Sequence, residues 1–138
     1  MSVEDSRWKQ RFDNFDRAFV LLREVQDAGV DTLSPLEKEG ATQRFEFAFE
    51  LAWKTLKDYL EEEGILVTPV TPCTVIKEAF RARLIEDGQV WIDMLMDRNL
   101  LSHTYSSKTF TEVLDTLSNR YFPAFERLHG FFIEQLYG

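Results

Sequence analysis

The chain has few of the residues that build disulfide and metal sites. Its 138 residues include one cysteine, Cys73, and two histidines, His103 and His129. A lone cysteine forms no internal disulfide, and we interpret it as a structural thiol in a reducing compartment. Nothing in the sequence has the spacing of a zinc site, so we predict that the protein uses no metal and no cofactor.

Long apolar runs are also missing. No stretch approaches the roughly 20 residues that cross a bilayer, and the first residues lack the apolar core of a secretion signal. These absences predict a cytoplasmic protein that makes no contact with membranes.

Positive charge is in deficit, with 16 Lys and Arg against 24 Asp and Glu and a formal net charge of −8. The resulting field repels nucleic acid and argues against a general RNA binder. An anionic substrate would need a locally basic cleft, a few specific contacts, or a partner that carries the positive charge.

The residues that are present form a helical pattern. Apolar side chains recur at spacings of three and four, and no strand-like alternation, repeat or linker appears. The first predicted helix runs from Ser6 to Ala28, and the second runs from a Ser34–Glu37 capping box to Glu63. The third runs from Thr71 to before Glu86, and the fourth from about Gln89 to Ser106. The last begins at a Thr109–Glu112 capping box and is kinked at Pro123. The core stripes are Trp8, Phe12, Phe15, Phe19 and Leu22; Phe45, Phe49, Ala52 and Leu56; Val75, Ile76, Ala79 and Phe80; and Val113, Leu117, Tyr121, Phe125, Leu128 and Phe132.

This pattern predicts an all-α fold with one domain over residues 1–138. The architecture is an antiparallel up-and-down four-helix bundle with one additional short helix. Phe47 and Trp53 fall outside the inner stripe of the second helix, and together with Trp91 they are candidate interface residues. Phe47 is either a core residue or a contact residue.

The run RNLLSHTY, residues 98–105, places three chemically able side chains in an apolar pattern. Arg98 offers a charged fork for phosphate oxygens, and His103 exchanges protons near neutral pH. On one straight helix Arg98 and Tyr105 share a face, but His103 lies roughly 140° from Arg98. Either the helix ends near His103, or the arginine reaches round, or two copies of the chain complete each other's site; we favour a cleft at a dimer interface.

A structural interpretation of the same run also stands. Arg98 could pair with Asp93, Asp97 or another carboxylate, His103 could be a hydrogen-bonded residue near a helix end, and Tyr105 could be a core aromatic. Against this, the apolar residues on both sides of Arg98 would bury its charge unless a cleft or a counter-ion receives it.

RNLLSHTY resembles the Arg-x4-His-x-Tyr signature of HEPN-domain proteins, specifically the small helical partners of minimal nucleotidyltransferases. The segments 44–64 and 72–80 and the acidic stretch before Trp91 are similar to that family too, so the resemblance covers roughly residues 8–136. It implies a helical bundle, a homodimer or higher homo-oligomer, and a minimal nucleotidyltransferase as partner. The chain has no nucleotide-binding glycine loop, so it is not itself the nucleotidyltransferase.

For function, the resemblance implies a metal-independent ribonuclease toxin with Arg98 and His103 as catalytic residues and Asn99 as their polar neighbour. Tyr105 is the implied acceptor of adenylyl groups that silence the enzyme. The alternative is a non-catalytic subunit that binds the nucleotidyltransferase and its nucleotide or RNA substrate. A third interpretation is a helical interaction module in which RNLLSHTY only packs.

Overall fold

The computed structural model describes residues 6–138 and folds them into helices with no strand. The first five residues, part of the segment that argued against a secretion signal, lie outside this range. The prediction of an all-α bundle is confirmed. The helices are α1 (Arg7–Ala28), α2 (Pro35–Glu62), α3 (Pro72–Arg81), α4 (Gly88–Leu101), α5 (Ser107–Thr116) and α6 (Phe122–Tyr137).

Helices α1 and α2 follow the sequence signals closely. The predicted capping box is present, with the Glu37 amide donating to Ser34 Oγ at 3.1 Å and the Ser34 amide donating to Glu37 Oε1 at 2.8 Å. Gly29 and Gly64 follow the two helices with φ values of 86° and 83°, which favour glycine because it has no Cβ. The apolar stripes of both helices are buried as predicted.

Polar contacts fix α1 and α2 as antiparallel neighbours. Near the start of α1, Trp8 Nε1 donates to Glu62 at 2.8 Å, and Arg11 Nε lies 3.0 Å from the buried carboxylate of Asp58. Near its end, Arg44 Nη1 donates to the Leu21 carbonyl at 2.9 Å. The start of α1 therefore meets the end of α2.

Helix α3 is the short additional helix, and one of its predicted core residues is misplaced. Val75, Ile76 and Ala79 are buried, but Phe80 is 52% exposed, so its assignment to the core is wrong. The ring instead flanks Gly88, whose missing side chain leaves room for it. The stripe that faces the bundle is thus narrower than the run of apolar residues suggested.

The last helix begins earlier than predicted and contains an irregular turn. Ser106 caps α5 by accepting from the Thr109 amide at 3.4 Å, so the predicted capping box at Thr109 is wrong. A π-helical turn, Leu117–Tyr121, joins α5 to α6 just before Pro123. From this turn Arg120 and Tyr121 donate to Asp93 at 2.9 Å and to Asp97 at 2.6 Å, which ties the last helix to α4.

Aromatic rings fill the centre of the bundle between α1, α2 and α6. Phe132 packs against the rings of Trp8 and Phe12 at centroid distances of 5.6 and 5.7 Å.

In residues 6–138 no helix is both long enough and apolar enough to span a bilayer.

Candidate functional site

Helix α4 carries the first residues of the candidate site and ends sooner than predicted. Asp87 caps its start, with Oδ1 accepting from the Val90 amide at 3.2 Å. The helix stops at Leu101, so the predicted continuation to Ser106 is wrong. The amides of Ser102 and His103 donate to the carbonyls three residues earlier, at 3.2 and 3.0 Å, which tightens the final turn. Ser106 must be extended to cap α5, so the chain has to leave the helix before it.

The early end of α4 fits one of the three geometries that the spacing allowed, a helix that ends near His103. A site shared between two copies of the chain stays a prediction. His103 and Tyr105 lie in the connection between α4 and α5, not on a straight helix with Arg98. The straight-helix angle of roughly 140° therefore does not fix how the Arg98 and His103 side chains face each other. In residues 6–138 the His103 imidazole has no hydrogen bond or ion pair, and its side chain is exposed.

Arg98 lies half-buried between α4 and α2, where a counter-ion receives its charge. Its Nη2 donates to Glu50 Oε2, and its Nη1 donates to Asn99 Oδ1 at 3.1 Å. Neither Asp93 nor Asp97 is its partner, since those carboxylates accept from Arg120 and Tyr121. A guanidinium has five N–H donors, so three of them have no hydrogen-bond partner within residues 6–138.

Glu50 belongs to the site although the sequence pattern did not single it out. Burial alone would raise its pKa, but the side chains of Trp53 and Arg98, together with the charges of Arg98 and Lys54, hold that pKa below the usual range of glutamate. Lys54 Nζ lies 3.4 Å from Glu50 Oε1. Glu50 is therefore an anion at neutral pH that orients Arg98.

Glu46, one turn earlier on α2, has the opposite character. Burial raises its pKa, and the charge of Arg98 offsets only part of that rise. In the described part of the chain, its carboxylate has no hydrogen-bond or ion-pair partner. Arg98 thus interacts with one carboxylate whose ionised form is stabilised and with one whose ionised form is not.

Tyr105, Asn99 and Ser102 of the same run are exposed, whereas Leu101 is buried in the core. Tyr105 is 89% exposed, so its interpretation as a core aromatic is wrong. Asn99 is exposed too, and its carboxamide oxygen faces Arg98. The Ser102 hydroxyl donates to the Arg98 carbonyl at 3.2 Å and serves the helix end.

An exposed apolar strip runs along α4 on the face turned away from Arg98, because Met96 and Leu100 each lie two residues, or about 200° around the helix, from it. Met96 is 64% and Leu100 48% exposed, and Ile92, one turn before Met96, is partly buried. These residues recur every four positions, so they share a face. The sequence pattern had shown that apolar residues occupy both sides of α4, but it could not tell which side is uncovered.

The three candidate interface residues are not equivalent. Trp91 is 2% exposed and packs edge-on against Phe125 at a centroid distance of 5.3 Å. Trp53 is buried as well, so within the protomer neither indole offers a surface to a partner. Phe47 is 64% exposed, which leaves it as the candidate contact residue.

Among residues 6–138, no group of His, Cys, Asp and Glu side chains is arranged to hold a metal ion.

Comparisons with known proteins identify the family of the chain. The family model described as nucleotidyltransferase substrate binding protein like matches residues 10–133. A probable ribonuclease HepT from Haemophilus influenzae is 35% identical over 72 residues, which are 50% of this chain and 49% of that protein. The match thus spans about half the length of that curated relative. A crystal structure of a protein from Thermus thermophilus has a TM-score of 0.75 at 32% identity, covering 84% of this chain and 96% of that one.

Proposed function

Because the chain belongs to the family of nucleotidyltransferase substrate binding protein like proteins, we propose that it is the ribonuclease of a toxin-antitoxin-type pair, silenced by a small nucleotidyltransferase. Its place as a HEPN-type partner protein follows from the family and from the likeness to a probable ribonuclease. The observation that carries the ribonuclease proposal is the end of α4 at Leu101. It leaves His103 on an exposed turn beyond the half-buried Arg98, where the angle of a straight helix no longer fixes the relative orientation of the two side chains.

The chemistry that these groups support is transesterification of RNA. The ribose 2′-oxygen attacks the adjacent phosphorus, the bond from phosphorus to the 5′-oxygen breaks, and a cyclic phosphate and a 5′-hydroxyl form. His103 takes the 2′-hydroxyl proton or returns one to the leaving oxygen. Arg98, held by Glu50, uses its remaining N–H donors to stabilise charge on the phosphoryl oxygens.

Two proton transfers in one turnover are a reason for two protomers to share a site. The apolar strip of Met96 and Leu100 lies on the helix that carries Arg98, and a second copy of the chain would bury it. In such a homodimer the two exposed turns approach each other, and the imidazoles of both subunits serve one cleft.

Subunit mixing tests this arrangement. We expect Arg98→Ala and His103→Ala to be inactive alone, each losing at least about 100-fold in RNA cleavage. Co-refolded mixtures of the two variants should recover part of the activity if a site combines residues from both subunits. Wild-type rates in purified His103→Ala would overturn the ribonuclease proposal, and inactive mixtures would confine each site to one subunit.

Tyr105 is the proposed switch. The nucleotidyltransferase would join the Tyr105 oxygen to the α-phosphorus of ATP, releasing pyrophosphate and the phenolic proton. The exposed hydroxyl is open to such a partner, and each adenylyl group would bring bulk and negative charge near Arg98. Intact-mass measurement should show adenylyl additions on the wild type and none on Tyr105→Phe.

A specific observation also favours the non-catalytic alternative. Glu50 already neutralises Arg98, and the chain carries a net charge of −8, so an RNA phosphate meets competition and repulsion. A substrate-binding subunit would use the same cleft without cleaving. Protein that co-purifies with a nucleotidyltransferase, binds nucleotide and leaves RNA intact under all conditions would select this alternative.

A further inference from the structure

A second surface lies on the other flank of α2, between α1 and α2. It is a groove of about 300 Å³ whose lining includes Phe47, the apolar side chains of Leu21 and Leu51, and the arginines Arg17 and Arg44. The Phe47 side chain is 64% exposed, so its ring is open to a ligand. We refer to this surface as the Phe47 groove.

The charge of the Phe47 groove differs from that of the chain as a whole. Seven residues line it, two of them arginines and none acidic, on a protein with a net charge of −8. Arg17 is exposed and has no ion pair within residues 6–138. Arg44 Nη1 lies 2.9 Å from Glu24, a carboxylate outside the lining, and within residues 6–138 the other nitrogens of that guanidinium have no hydrogen-bond partner. The groove therefore attracts an anion.

The groove also has the position of a substrate subsite. Phe47 and Glu50 are three residues apart on the outer face of α2, and Glu50 holds Arg98 on the side of α4. An α-helix with its side chains is about 10–12 Å wide, so a few nucleotides can bridge the two flanks. An aromatic face beside arginines is the arrangement on which single-stranded nucleic acids stack their bases and place their phosphates.

From these observations we propose that the Phe47 groove binds a nucleotide of single-stranded RNA whose neighbouring segment lies at Arg98. The base stacks on Phe47 against Leu21 and Leu51, and Arg17 with Arg44 receives the phosphate. This inference rests on the proposed ribonuclease function and adds to it the class of substrate. It also explains how an acidic protein holds RNA, since contact is concentrated at two cationic places.

Binding of a fluorescein-labelled single-stranded RNA of about 12 nucleotides tests the proposal by fluorescence anisotropy. A His103→Ala background keeps the probe intact. Phe47→Ala should weaken binding at least about fivefold, because base stacking on an aromatic ring contributes that much or more, while Phe47→Trp stays near the parent. Arg17→Ala should lower the slope of log affinity against log salt by about 0.7, the value of one phosphate contact on a single strand.

Matched controls come from α3. Phe80→Ala and Arg81→Ala remove an exposed phenylalanine and an exposed arginine from a groove that also contains Glu86 and Asp87, and both should bind the probe as the parent does. Thermal melts followed by circular dichroism establish that each variant is folded.

The outcomes separate the two proposals. RNA that is bound and cleaved equally well with Phe47→Ala overturns the Phe47 groove as a subsite and leaves the ribonuclease function standing. Protein that neither binds nor cleaves RNA overturns both. A Phe47→Ala variant that keeps RNA affinity but no longer retains the nucleotidyltransferase overturns the subsite and assigns the groove to that protein partner instead.

Discussion

The two histidines of the chain occupy opposite environments. His129 stacks on Phe19 at a centroid distance of 4.3 Å, and its Nε2 lies 2.7 Å from Asp16 Oδ1, so the imidazole joins α1 to α6. His103 stands on the exposed turn after α4, where no described side chain contacts it through a hydrogen bond or ion pair. One imidazole is part of the packing, and the other is available for chemistry.

The regions around the two histidines differ in the same way. Around His129, the rings of Phe12, Phe15 and Phe132 form a continuous aromatic cluster. Around His103, the side chains of Met96, Leu100 and Tyr105 are exposed. Stability and proposed function are therefore located at different places in the bundle, and substitutions should separate them.

The largest loss of stability is expected in the aromatic cluster. Phe132 is fully buried against Trp8, Phe12 and Phe15, so Phe132→Ala should lower the free energy of unfolding by about 3–5 kcal/mol. Urea denaturation measures this change. The exposed Phe47, replaced by Ala as a control, should change the value by less than about 0.5 kcal/mol. Equal losses in the two variants would contradict the division.

A smaller loss is expected at the packed histidine. His129→Ala removes the stack on Phe19 and the contact with Asp16, and should lower the free energy of unfolding by about 2 kcal/mol. His103→Ala should change it by less than about 0.5 kcal/mol, because no described contact is lost. If His103→Ala were the more destabilising of the two, the comparison of the histidines would be wrong.

The two carboxylates of α2 near Arg98, Glu50 and Glu46, are expected to affect stability in opposite directions. Glu50 has a pKa below its usual range, so its contribution is fully present above the ordinary glutamate value of about 4.3 and is lost as the pH falls through the lowered value. Glu50→Gln should therefore be less stable than wild type at pH 7, by roughly 1 kcal/mol for this half-exposed pair, with the difference shrinking in acid.

Glu46 is the matched control, because its pKa shifts in the direction opposite to that of Glu50. Its pKa is raised, so its ionised form costs stability at neutral pH, and Glu46→Gln should be as stable as wild type or more so. Denaturation of both variants between about pH 3 and pH 7, the range in which carboxylates titrate, measures the two effects. Destabilisation of equal size by Glu46→Gln would show that Arg98 does not distinguish the two carboxylates.

The smallest effect on stability is expected at the apolar strip of α4. Leu100→Glu places a charge on an exposed side chain and should leave the free energy of unfolding within about 0.5 kcal/mol of wild type. If two copies meet there, the same substitution shifts the protein from dimer to monomer in sedimentation experiments. Leu36→Glu, at a side chain that is 76% exposed on α2, should leave the assembly unchanged. A variant at Leu100 that stays dimeric would move the interface elsewhere.

Local signals predicted the parts of the fold that local chemistry decides. Ser34 with Glu37 set the start of α2, and Gly29 and Gly64 set the ends of α1 and α2, because capping and positive φ depend on few neighbouring residues. The predicted end of α4 was wrong because the apolar periodicity continues through Leu101. Several serines and threonines follow, and the sequence does not show which of them caps the next helix. Ser106 is the residue that caps α5.

The candidate site could be predicted only in part, because some of its contacts depend on tertiary packing. The run from Arg98 to Tyr105 carries its own signature, but the pairing of Arg98 with Glu50 depends on which face α4 turns to α2. Asp93 and Asp97 were nearer in sequence and are used by the π-helical turn of the last helix instead. Tertiary packing decides such pairings, and a sequence pattern does not contain them.

We propose that His103, and not His129, performs chemistry on RNA. Cleavage of a labelled single-stranded RNA by wild type, His103→Ala and His129→Ala, at a temperature where all three are folded, tests it most directly. We expect His103→Ala to cleave at least about 100-fold more slowly than wild type while His129→Ala retains its rate. Undiminished cleavage by His103→Ala would contradict the claim.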